Sequence, residues 1–192
     1  MSHELFRCEI GVIPPFNLSN VLPPYTGTKP TERASCSPYR IKTSELVSRF
    51  ATSSDRIRLL NGLLDLRQAL RGVGIVSGEQ WIDGSFVENV EVIRGRAPGD
   101  VDVVTFAARP VLDDVRWRQT INANLDIFDS KRAKSKFGCD HYFLDTLKRP
   151  ELLIADTTYF YGLFSHQRAS ALWKGMLALP IVSDDELARA ML

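Results

Sequence analysis

Apolar positions fall into a helical rhythm in the first half of the chain and into short runs in the second. Leu46, Val47 and Phe50 fit one face of a short helix starting at Ser44. From Asp55 to Arg71, Ile57, Leu60, Leu63, Leu64, Leu66 and Leu70 recur at i, i+3, i+4 and i+7, which predicts an amphipathic helix capped by Ser54 and ended by Gly72 and Gly74. A strand is expected over Gln80 to Asp83, turning at Gly84, then a loop over 88–99 and a strand from Val101 to Phe106. Helical spacing returns over Pro110 to Asn124 and over Leu125 to Lys136, followed by a strand from Phe137 to Leu144. Glu151 to Phe164 reads as a helix and Trp173 to Val182 as a strand broken at Pro180. Ser183-Asp-Asp-Glu then opens a last helix as a capping box.

This alternation predicts an α/β (α+β) domain with a mixed central sheet flanked by helices. Before it, Pro14, Pro15, Pro23, Pro24, Pro30 and Pro38 crowd residues 11–40 and rule out a central strand or a long helix there. The expected organisation is an irregular Pro-rich arm over residues 1–43, anchored by Phe16, Val21, Leu22 and Tyr25, and one domain over 44–192.

A net charge of +1 supplies no global basic excess for coating nucleic acid or a membrane surface, though it permits a locally basic groove. The apolar runs Leu152 to Ala155 and Met176 to Val182 are too short to span a bilayer, so no membrane role is expected. Cys8, Cys36 and Cys139 are odd in number and widely spaced, as reduced thiols would be, and residues 1–10 lack the layout of a secretory signal. Both point to the cytoplasm.

The candidate chemistry lies in WIDGSFVENVEVIRGRAPGDVDVV, residues 81–104. Asp100 and Asp102 flank a valine at the start of a strand and so share one face. Paired carboxylates of this kind are hard oxygen ligands suited to Mg²⁺, or Mn²⁺ in its place. Gly84-Ser85 adds a turn where the backbone can approach a phosphate and the hydroxyl can donate to it. Arg94 and Arg96, on the intervening loop, and Lys136, in the dense basic run Lys131, Arg132, Lys134, Lys136, are further candidates for the triphosphate or a nucleic-acid acceptor. Lys174 is a weaker one.

Gly84-Ser85 followed by Asp100-x-Asp102, each on its own apolar strand, resembles the nucleotidyltransferase superfamily typified by DNA polymerase β, in a minimal form. The likeness covers about residues 55–145, with a slightly long gap between Ser85 and Asp100. It implies the nucleotidyltransferase fold and transfer of a nucleoside monophosphate from an NTP to an acceptor hydroxyl, with release of pyrophosphate. It also implies that Asp100 and Asp102 bind two metal ions with a third carboxylate from a neighbouring strand. Asp140 is the better match for that carboxylate and Asp145, on the opposite strand face, the substitute.

The acceptor stays open: an RNA or tRNA end, or a protein side chain, with a bacterial toxin–antitoxin or antiphage setting suggested by analogy alone. The rival is a catalytically silent subunit of the same fold that assembles with a partner protein. His141 is expected to be structural, the aromatics from Tyr159 to Phe164 to fill core, and His3, His141 and His166 to form no metal set.

Overall fold

The computed structural model describes residues 12–168 and 170–192, so the expectations for Cys8, His3 and the first eleven residues of the arm lie outside it. Among the described residues, eight α-helices surround one five-stranded sheet. In chain order the elements are β1 (Tyr39–Arg40), α1 (Thr43–Phe50), α2 (Ser54–Gly72), β2 (Glu79–Asp83), α3 (Val90–Arg94), β3 (Val101–Ala107), α4 (Asp114–Ala123), α5 (Leu125–Phe128), α6 (Ser130–Phe137), β4 (Cys139–Asp145), α7 (Pro150–Phe164), β5 (Leu177–Pro180) and α8 (Asp185–Ala190). The sheet order is β1-β5-β2-β3-β4, parallel at its two outer pairs and antiparallel within, so the expected mixed α/β class is what forms.

Several local signals act one step from where the sequence put them. Ser53, not Ser54, caps α2 by accepting from the Arg56 amide. Ser183 and Asp184 do not make a capping box on α8; they accept the Thr43 and Ser44 amides and so cap α1, tying the two helices together. The loop expected over 88–99 contains α3, closed by Gly95 in the left-handed conformation. The described part of the arm, residues 12–42, is irregular apart from the 3-10 turn Arg33–Ser35 and β1, and its Val21 and Leu22 are fully buried.

Alternation along β2, β3 and β4 sorts the core into two layers. Ile82, Val101, Val103 and Cys139 face the main core built with α1, α2, α5 and α6. Gly62 lets α2 meet the end of α6, since a Cβ there would lie 1.9 Å from the Phe137 carbonyl oxygen. Within this layer runs a buried polar chain. Arg67 holds Asp185 and donates to Gln80 at 2.5 Å, Gln80 donates to Thr105 at 2.9 Å, and Thr105 meets His141 Nε2 at 2.8 Å. His141 Nδ1 lies 2.7 Å from the Ile127 carbonyl, to which it donates as the neutral ring.

The opposite sheet face carries Trp81, Val104, Phe106 and Leu144, covered by Phe160 and Phe164 of α7 and by Met176. The cover is partial: Tyr142, Tyr159 and Tyr161 stay exposed, as do Leu152 and Ile154 on α7. The aromatics of α7 therefore split between core and surface. Among the described residues no helix is long and apolar enough to cross a membrane.

Candidate functional site

Sheet register brings three aspartates into one row. Asp83 at the end of β2 pairs with Asp102 on β3, and Asp102 pairs with Asp140 on β4. Paired residues on neighbouring strands project from the same face, and here that is the face of α7. Asp100, two residues before Asp102, joins from the β3 start. Ligand oxygens of Asp100, Asp102 and Asp140 come within 4.8 Å of one another, all three side chains half-buried. The alternative carboxylate, Asp145, sits at the far end of β4, paired with Arg109 and accepting the Leu147 amide.

The turn after β2 is fitted to this row. Gly84 has φ +82°, and a Cβ there would lie 1.8 Å from Asp102 Oδ2. Only glycine allows both the conformation and the approach. Ser85 opens a single 3-10 turn, Ser85–Val87, in place of a long helix, and Gly84 and Ser85 of that turn line the cleft. Arg56, buried on α2, holds the far side by donating to the Phe86 and Glu88 carbonyls at 2.7 and 2.8 Å and pairing with Glu91.

A cleft of about 290 Å³ opens over the row. Gly84, Ser85, Arg94 and Arg96 line it with Asp100, Asp102 and Asp140, as the sequence led one to expect, and Asp83 lines it as well. Lys136 does not: it pairs with Asp126 at 2.8 Å, away from the cleft. Lys134, two residues earlier, lines the cleft instead and ion-pairs with Asp100. Positions two apart on a helix point about 200° apart, so both cannot serve one site. Arg168, which the sequence reading missed, also lines the cleft.

A family described as being of unknown function, DUF6932, matches residues 14–180. The chain belongs to this family. It matches no curated protein and no solved structure. Most of the Pro-rich arm falls within the matched region, together with the whole carboxylate row.

The electrostatics of this DUF6932 member separate the acids of the row. Burial, then the charges of Asp100 and Asp140, pushes Asp102 up to about 6. Burial likewise pushes Asp83 up to about 7, although Lys174 pulls the other way. Lys174 lies behind the turn between Asp83 and Glu88, all three fully enclosed. Burial works to lower its ammonium, yet the two carboxylates hold it above its ordinary value. Lys134 is also raised, first by its hydrogen bond to Asp100.

The donor set fits a hard divalent cation. Three carboxylates converge, with a phosphate-compatible glycine turn beside them and exposed Arg94, Arg96 and Arg168 at the rim. Burial first, and then the like charges of Asp100 and Asp140, raise Asp102, and a bound cation would relieve that repulsion.

Proposed function

We propose that the chain is a Mg²⁺-dependent nucleotidyltransferase that moves a nucleoside monophosphate from an NTP to an acceptor hydroxyl and releases pyrophosphate. The observation that carries this reading is the convergence of Asp100, Asp102 and Asp140 beside a turn that must be glycine because the Asp102 carboxylate fills its Cβ position. The resemblance of Gly84-Ser85 and Asp100-x-Asp102 to nucleotidyltransferases supports it from the sequence side.

Asp100, Asp102 and Asp140 would hold the metal ions. Mg²⁺ bound there screens the triphosphate charge and makes the acceptor hydroxyl a better nucleophile. Ser85 and the backbone amides of its turn donate to the terminal phosphates. Arg94, Arg96 and Arg168 on the rim offset the remaining negative charge. The acceptor oxygen forms its bond to the α-phosphorus as the bond to the β-phosphate breaks. Asp140 takes the hydroxyl proton and pyrophosphate carries off the electron pair. RNA ends and protein hydroxyls are both chemically suited acceptors, and Mn²⁺ suits the same donors.

The test is incubation with each α-labelled NTP, Mg²⁺, cellular RNA and protein. Label transfer by the wild-type chain and none by Asp100→Ala/Asp102→Ala is expected. Equal labelling by both refutes the reading.

One observation favours a second reading, a silent subunit that binds a partner protein: α7 exposes Leu152, Ile154 and Tyr159. That reading predicts no Mg²⁺-dependent change in melting temperature with any NTP.

A further inference from the structure

Lys174 has a different environment from the other cations of the cleft. It is 2% exposed, whereas Arg94, Arg96, Lys134 and Arg168 face solvent. Its ammonium donates to Asp83 Oδ1 at 2.9 Å and to the Gly84 carbonyl at 3.3 Å, and lies 3.1 Å from Glu88 Oε1. An ammonium has three N–H groups, and these contacts occupy all of them. They join the end of β2, the glycine turn and the residue that follows the Ser85–Val87 turn.

Neighbouring contacts make this grip specific. Glu88 is fixed from its other side by the Gln167 side chain at 3.0 Å and by the bridge from Val21. Lys174 is fixed through its own amide, which donates to the Ser165 carbonyl at 2.8 Å. Gly84 then transmits its position to Asp102 by direct approach, since not even a methyl group fits between them. Movement of the turn would therefore displace an Asp102 oxygen. The charge balance points the same way. Asp83, Glu88, Asp100, Asp102 and Asp140 crowd one cleft, and Lys174 is the cation buried among them.

We propose that Lys174 is a positioning residue. By holding Asp83, Gly84 and Glu88 together it fixes the turn against Asp102 and so sets the affinity of the carboxylate row for a divalent cation. The inference rests on reading Asp100, Asp102 and Asp140 as cation ligands.

The experiment is a Mn²⁺ titration followed by electron paramagnetic resonance, with circular dichroism melting as the check on folding. Lys174→Met with Glu88→Gln leaves the net charge of the buried trio unchanged while removing the grip. Affinity at least tenfold weaker in this folded double variant is expected. Lys174→Arg keeps the charge but puts a planar fork where a compact ammonium fits, and is expected to weaken Mn²⁺ at least threefold while folding. Wild-type affinity in either folded variant overturns the role of Lys174 alone. Absence of Mn²⁺ binding by the wild-type chain overturns the site reading, and this inference with it.

Discussion

Gly84 and Asp102 are matched across adjacent strands: the carboxylate Oδ2 lies where a Cβ on Gly84 would come within 1.8 Å. The pairing of Asp83 with Asp102 in register creates this contact, and the positive φ of Gly84 lets the turn continue past it. Gly84→Ala must either strain the turn or push Asp102 aside. On the proposed function Asp102 would ligate the metal, and a misplacement of about 1 Å at a reacting centre costs on the order of 10²-fold in rate. Transfer activity is therefore expected to fall at least that far while the far-UV spectrum stays native. An active, normally folded alanine variant would contradict the fit.

Asp102 opposes folding at neutral pH. Its folded pKa of about 6 lies above the ordinary 3.8, so the folded chain binds more protons than the unfolded one between those values. The resulting destabilisation is complete above pH 6 and vanishes as pH falls below 3.8. Asp102→Asn is then expected to be more stable than wild type at pH 7, by up to about 3 kcal/mol, with the gain shrinking towards pH 4. Denaturant melts at several pH values measure this. A gain independent of pH would count against the raised pKa, set first by burial and then by Asp100 and Asp140, as its cause.

His141 acts in the reverse sense. Burial lowers its pKa to about 4 from 6.5, so the unfolded chain takes up a proton that the folded chain refuses in that window. Stability is lost as pH falls from 6.5 towards 4, by about 3 kcal/mol in total, and the loss levels off below. An NMR titration of the His141 ring in the folded protein should show the neutral form throughout pH 5–7. Protonation near pH 6.5 would refute the Thr105–His141–Ile127 chain as drawn.

Lys134 and Lys136 should separate in function. Lys136→Met breaks an exposed, solvent-screened pair with Asp126 and is expected to leave both the melting temperature and transfer essentially unchanged. Lys134→Met removes the cation at Asp100 and is expected to lower transfer at least tenfold without weakening Mn²⁺. Steady-state rates for the two variants decide it, and equal effects would contradict the assignment.

Periodicity made the strands from β2 onward and the long helices legible, and with them the shared face of Asp100 and Asp102 at the start of β3; the choice of Asp140 over Asp145 came from the family resemblance. Helix phase was harder to read. Lys131 to Lys136 forms one basic run in sequence, yet the packing of Ala133 and Phe137 decides which lysine reaches the cleft. Arg168 was missed, and Lys174, a weaker phosphate candidate in the sequence, could not be seen as a buried grip, for another reason. Their role depends on a segment, more than eighty residues away in the chain, that the pairing of β5 with β2 brings beside Asp83 and the glycine turn. Ser183 and Asp184 show the same limit, since their local pattern suits one helix and their tertiary contacts cap another.

The central claim is tested most directly by the phosphorus product. The chain, an NTP, Mg²⁺ and an RNA or protein acceptor should release pyrophosphate in step with label entering the acceptor, and Asp100→Ala/Asp102→Ala should release none. Free phosphate in place of pyrophosphate, or no product from the wild-type chain with any NTP and either metal, would contradict it.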